Sequence, residues 1–316
     1  EAKDAALPWL NSLDQPSMDG LNTYVLSKCL RDSGIVVALS GQGGDELFGG
    51  YPSFQDVPKL LRLIGLVHKL PSPLQPSAVA LLSAGRGVAF REKLANMIQV
   101  GADLRGLALQ RRRCFSDSQI TQLLSKEPSH EVIRNHYLEP SEFAEIPIAD
   151  DDPIHAVSLL ESKFCLGNTL LPVGDASGMS HGLEIRVPML DRPVLNAVLG
   201  MPGELRLPEG TANKHLLRQA FANCLRPELT SQSKRGFVLP VKRWMRGPLR
   251  PVCESALATL RNHDCFRVDG IESIWKTYLR EPESPIWSRA WLLVALGQYL
   301  QWVKSSVEPP LASVAQ

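Results

Sequence analysis

Leu21, Val25, Leu26, Cys29 and Leu30 recur at the 3.6-residue spacing of one helical face. Asp19 stands ahead of them as a candidate N-cap, and Gly34 suits a left-handed stop. The pattern then changes. Ile35-Val36-Val37-Ala38-Leu39 is an unbroken apolar run between a glycine and a glycine-rich loop, which predicts a strand buried on both faces. Such strands belong to parallel sheets covered by helices, yet no second convincing strand follows, and one strand cannot make a sheet. Its partners are expected outside this sequence or on another chain.

Beyond Tyr51 the periodicity is helical almost throughout, predicting helices at 59–69, 78–83, 91–99, 117–124, 154–170, 176–181, 192–199, 214–225, 248–261, 271–279 and 286–303. Two irregular stretches interrupt them: Gly182 to Asp191 (GLEIRVPMLD) and Ser231 to Pro240 (SQSKRGFVLP). The 290–303 run is uncharged, but it is too short to span a bilayer and carries Gln298 and Gln301, so it reads as a buried core helix. Residues 1–55 are taken as the remnant of an α/β core and 56–316 as a mostly helical part.

Composition narrows the function classes. The chain has 316 residues, 44% apolar and 21% charged, within the range of globular domains and long enough for about two of them. Its 34 basic and 33 acidic residues leave a net charge of +1, so no global field draws it to nucleic acid or an anionic membrane. The six cysteines form no C-x-x-C pair and the histidines no metal-ligand spacing, which points to reduced, cytoplasmic thiols and no zinc site. Arg111-Arg112-Arg113 reads as a solvated helix face.

The chemistry concentrates in Ser40-Gly41-Gln42-Gly43-Gly44-Asp45-Glu46, directly after the predicted strand. Ligands bind beyond the carboxyl ends of strands in open parallel sheets. Glycines let the backbone approach an anion closely. Adjacent carboxylates at Asp45 and Glu46 would repel a bare phosphate, so a phosphate here calls for a divalent cation, and Mg2+ suits carboxylate plus phosphate oxygens. No Gly-Lys-Ser/Thr follows, so the loop is not a Walker A motif; an ordinary strand-to-helix turn with Asp45 as cap is the competing reading.

The stretch from Asp14 through Tyr51 (DQPSMDGLNTYVLSKCLRDSGIVVALSGQGGDELFGGY) resembles the synthetase domain of glutamine-hydrolysing asparagine synthetases. Asp175 with GLEIRVPMLD at 182–191, KHLLR at 214–218 and KRGF at 234–237 follow in the family's order. The resemblance implies an α/β fold, here an incomplete doubly wound parallel sheet of the adenine nucleotide alpha hydrolase type, mostly helical in this part. It implies that ATP adenylates the side-chain carboxylate of aspartate. Ammonia from a glutaminase domain then gives asparagine, AMP and pyrophosphate. By position, Ser40, Gly41, Gly43 and Gly44 would contact the nucleotide, Asp45 would hold Mg2+, and Lys234 and Gln42 would be catalytic, Lys234 by neutralising the leaving pyrophosphate. Glu184, Arg186 and Asp191 either form an internal ion pair fixing their loop or touch substrate; His181 reads as structural. A homodimer is an open expectation.

Several positions depart from the family. Gln42 stands where some members carry glutamate, and an amide cannot take a proton at neutral pH. Ala176 and Gln232 replace arginines. An S-G-G-x-D-S pyrophosphate loop and an N-terminal nucleophilic cysteine are absent from this sequence, so it reads as the C-terminal part of a longer synthetase that alone does not complete an ATP site. Two alternatives stay open: a relative with another carboxylate acceptor, such as a β-lactam-forming synthetase or a peptide or sugar amidotransferase, and a non-catalytic binding module.

Overall fold

A computed structural model describes residues 2–85, 94–95, 97–98, 101, 103–126, 146–148, 151–226, 236 and 238–307. The predicted strand forms as β1, Val37–Leu39, and it has a partner, β2, Glu184–Arg186. The two run parallel with Val37 opposite Glu184, Ala38 opposite Ile185 and Leu39 opposite Arg186. The ladder extends by Glu184 N–H to Val36 O (3.0 Å) and Ser40 N–H to Arg186 O (2.8 Å). The expectation of a lone strand is corrected. β2 escapes a hydrophobicity reading because its three residues carry one apolar side chain between two charges.

The expected burial of β1 on both faces is also corrected. Val36, Val37 and Leu39 are 56%, 37% and 76% exposed, because nothing among the described residues lies over these side chains. An apolar strand in a parallel pair without covering layers is unusual, since parallel sheets normally lie between helices.

The helix before β1 spans Leu21–Asp32, and Gly34 ends it at φ +84°, with Ile35 N–H closing onto Leu30 O at 3.0 Å. Its N-cap is Gly20 rather than Asp19, whose side chain makes no cap bond. The buried face is Leu21, Tyr24 and Ser27, while Leu26 and Cys29 of the expected stripe are exposed. The reason is local: this helix packs one face on Leu171–Met179, and Leu26 and Cys29 lie on its exposed side.

Two large hydrophobic cores hold the helices. One joins Trp9, Leu13 and Leu21 to Cys253, Leu257, Ile271, Trp275, Trp291 and Val294, so the first residues close onto the last helices. Trp9 stacks on Trp291 with ring centroids 6.3 Å apart, and Gln298 Nε2 donates to Asn11 Oδ1 at 3.0 Å. The expected core helix is Ile286–Val307, buried at Ala290, Trp291, Leu293, Val294 and Ala295. No helix among the described residues is long and apolar enough to cross a membrane. The second core packs Phe54, Val57 and Ile64 of Ser53–His68 against Leu107 of Leu104–Arg112 and Leu160 of Pro153–Leu160.

Pro153–Leu160 continues into Glu161–Leu170, a stretch of wide π-type turns, and then Leu171–Met179. Pro172 has no N–H for the carbonyl four residues back, and Asn168 O is satisfied instead by Gln15 Nε2 at 2.8 Å. Runs of π turns are rare and collect at functional sites.

Candidate functional site

A third, small core of Leu47, Phe48 and Val198, with Leu190 and Leu217 packed on it, lies beneath the loop that leaves β1. Ser40 ends the parallel ladder, and its Oγ accepts from Gln42 N–H at 3.2 Å. Gly44 N–H turns back to Gly41 O at 3.2 Å. Gly43 sits at φ +86° with the Leu190 side chain pressed where a Cβ would stand, so both conformation and space demand glycine. The short helix Gly44–Phe48 then begins, presenting Asp45 at the carboxyl end of the strand. Ser40, Gly41, Gln42, Gly43, Gly44 and Asp45 therefore share one loop, in which the Gln42 and Gly44 N–H groups are engaged internally.

Asp45 is joined by a residue without an assigned role in the sequence reading. Lys214 Nζ lies 3.0 Å from Asp45 Oδ1, with both side chains about a quarter exposed (29% and 24%). Lys214 has φ +56°, the single non-glycine with positive φ among the described residues. A bulky side chain in that region is strained, and such strain gathers at functional sites. Gly50 closes the arrangement: a Cβ there would fall on Asp45 Oδ1 and 2.8 Å from Lys214 Cε. The sequence signal was the KHLLR segment, but nothing in its spacing says that it folds onto the loop after β1.

Glu46 does not join Asp45 as a second ligand. It is buried and turned inward, accepting from Tyr51 Oη at 2.7 Å. Burial pushes its carboxyl above the usual range, against the pull of the Tyr51 hydrogen bond. The Arg112 guanidinium lies 4.6 Å from the centre of the Tyr51 ring and pairs with Glu161 at 2.6 Å; Glu161 also accepts from Ser53 Oγ at 2.6 Å. Burial works against the Arg112 cation, but the hydrogen bond and charge of Glu161 outweigh it and raise its pKa. The expected solvated arginine face is thereby corrected: Arg111 pairs with Asp56, Arg112 with buried Glu161 and Arg113 with Asp117, because three carboxylates from neighbouring turns and helices converge on that turn.

Gln42 Nε2 donates to Leu170 O at 3.3 Å, and its amide rests against Gly174. It thus faces the π-type segment. Glu184 and Arg186 form an ion pair at 2.8 Å on the strand itself, exposed rather than internal because both project from the uncovered sheet. Asp191 caps Arg192–Leu199 through Arg192 N–H at 3.0 Å. His181 packs edge-on against Tyr24, with centroids 4.3 Å apart, and burial lowers its pKa. Asp175 is exposed on Leu171–Met179. Lys234 and Gln232 lie outside the described residues.

Asp45, paired with Lys214, is a hard oxygen donor of the kind Mg2+ accepts. A single hard carboxylate is available, which matches the reluctance of Mg2+ to accept an all-protein cage. No group of three or more His, Cys, Asp or Glu that could hold a metal unaided occurs among the described residues.

The chain is 26% identical to asparagine synthetase [glutamine-hydrolyzing] 1 of Bacillus subtilis over 260 residues, 76% of this chain and 39% of that protein. It is 27% identical to a putative asparagine synthetase [glutamine-hydrolyzing] of Mycobacterium tuberculosis over 251 residues, 77% of this chain and 35% of that one. Amidase chry2 of Gibberella zeae matches at 24% over 260 residues, 76% of this chain and 37% of the amidase. The chain thus spans well under half the length of the curated relatives it matches. The asparagine synthase family model matches residues 3–303, and the chain belongs to that family.

Proposed function

We propose that this chain is the C-terminal part of an ATP-dependent synthetase that activates the side-chain carboxylate of aspartate as an acyl adenylate and transfers ammonia, released from glutamine, to give asparagine, AMP and pyrophosphate. The observation that carries the reading is the pairing of Asp45 with Lys214 at the carboxyl end of a parallel strand, in a chain of the asparagine synthase family.

In this reading Ser40, Gly41, Gly43 and Gly44 let the nucleotide approach the strand end closely. Asp45 would hold Mg2+, which supplies charge neutralisation on the pyrophosphate. Lys214 then has two partners in turn, the Asp45 carboxylate at rest and the polyphosphate when it arrives. Lys234 would add a second point charge to the leaving group, since phosphoryl and adenylyl chemistry proceeds mainly by positioning and fixed cations. Gln42 donates its amide to the π-type segment and can orient an acceptor by hydrogen bonding, but it takes no proton. The uncovered apolar strand supports a further part of the proposal: other segments of the synthetase core pack against β1 and complete the ATP site.

A second reading is favoured by a specific pair of observations, Gln42 and the similarity to Amidase chry2: the same adenylation with a different carboxylate. The two are separated by assaying protein expressed from its complete reading frame for ATP-dependent pyrophosphate release with aspartate and with other carboxylic acids. Release that depends on aspartate supports the asparagine reading. Release indifferent to aspartate but dependent on another acid overturns it. Lys234→Ala is expected to lower the rate by a factor on the order of 10² to 10³.

A further inference from the structure

Arg206 is a cation with no exposed surface and no carboxylate among its hydrogen-bond partners. Its Nη1 donates to Leu47 O at 3.1 Å and to Ser158 Oγ at 3.0 Å, and its Nη2 lies 3.0 Å from His155 Nδ1. Arginine has no acceptor, so His155 Nδ1 must accept and the imidazole is neutral, with its proton on Nε2. Ser158 Oγ in turn donates to Glu46 O at 2.8 Å. Leu47 O and Glu46 O belong to the last turn of Gly44–Phe48, where helix carbonyls have no intrahelical partners and carry the negative end of the dipole. The third carbonyl of that turn, Asp45 O, accepts from the Gly49 N–H and from Gly50 N–H at 2.8 Å.

A second set of bonds holds the clamp. Asp152 accepts from His155 N–H at 2.8 Å and from Gly203 N–H at 2.7 Å. One carboxylate thus caps Pro153–Leu160, which supplies His155 and Ser158, and fastens it to Gly203–Arg206, which supplies the guanidinium. Burying a cation is costly even with the Asp152 carboxylate near enough to favour its charge, and a five-residue helix does not hold its shape on local hydrogen bonds alone. What this helix carries is Asp45.

We propose that Arg206, with Ser158 and His155, is the positioning group for Asp45: it grips the two carbonyls that follow Asp45 and so fixes the carboxylate against Lys214. The idea that Asp45 acts in catalysis rests on the function proposed above; the clamp itself does not. Arg206 touches no reacting atom in this scheme; it acts on Leu47 O directly and on Glu46 O through Ser158.

The experiment is amide hydrogen exchange on the full-length protein and on Arg206→Met, Arg206→Lys and Ser158→Ala, followed by steady-state kinetics with Mg·ATP and aspartate. Arg206→Met is expected to speed exchange across 44–50 by about tenfold or more while 286–307 stays protected. Arg206→Lys, able to reach one carbonyl but not to fork, should fall between wild type and Arg206→Met. kcat should fall with exchange, with the KM for aspartate unchanged. If Arg206→Met does not fold, Ser158→Ala, which removes the donor to Glu46 O and one acceptor of Arg206 but leaves Arg206 on Leu47 O, is expected to show the same local loosening. Unchanged exchange at 44–50 in a folded Ser158→Ala or Arg206→Met variant overturns the proposal, as does loosening spread evenly over the chain. If exchange responds locally but wild type shows no ATP-dependent turnover, the clamp stands and the synthetase reading fails.

Discussion

Gly50 is where the site is least tolerant of change, since any side chain there would displace the Asp45 carboxylate from Lys214. Gly50→Ala is therefore expected to cost about 1–3 kcal/mol in stability and to remove most activity, read by thermal unfolding and by pyrophosphate release. Glu161 offers a contrasting case, a nearly buried carboxylate paired with a partly exposed guanidinium. Glu161→Ala strands Arg112 and is expected to destabilise by about 3 kcal/mol, toward the low end for broken buried pairs because water still reaches the arginine. His155 adds a pH dependence. Burial, then the Arg206 charge, hold its pKa below the ordinary histidine value, with Asp152 opposing them. The folded state thus binds fewer protons than the unfolded one in that range, so stability is level above the ordinary histidine pKa and declines as pH falls through it. His155→Gln, titrated by unfolding in parallel, should flatten that decline. The cysteines divide by the same reasoning: burial pushes Cys253 up to about 12, while Cys29, Cys224 and Cys265 are exposed. Native thiol labelling should mark the latter three and spare Cys253.

Among the elements, the close crossing of Arg250–Arg261 with Ile286–Val307 depends on Gly297, whose Cβ would fall on the Ala256 carbonyl. Gly297→Ala is expected to force these helices apart and lower stability by about 1–3 kcal/mol, a thermal shift of several degrees, without touching the Asp45 site. Helices such as this were legible in the sequence because their apolar period is long and regular. The loop after β1 was legible too, since glycines and carboxylates follow a five-residue apolar run. β2 was not, because Glu-Ile-Arg is too short and too charged to show a strand pattern. Nor was the 214–225 segment, where the helix stops at Ala220 and begins only after Lys214 enters the left-handed region. Arg112 and Arg206 were missed for a common reason: a partner 49 residues away, or a backbone carbonyl 159 residues away, leaves no mark on local composition.

For the whole molecule, the main feature is an α/β site on a sheet of two short parallel strands in a chain whose helices form two large cores. The exposed apolar residues of β1 make residues 1–316 on their own prone to associate. Light scattering is expected to show self-association of this stretch, reduced by Val36→Lys with Leu39→Lys. The most direct test of the account uses the protein from its complete reading frame. Pyrophosphate release is measured with Mg·ATP, in the presence and absence of aspartate, for wild type and Asp45→Asn. Wild type is expected to show aspartate-dependent release, and Asp45→Asn to lose it by a factor on the order of 10² or more with the fold intact. Equal release by the folded Asp45→Asn variant, or no dependence on any carboxylate, would contradict the proposed function.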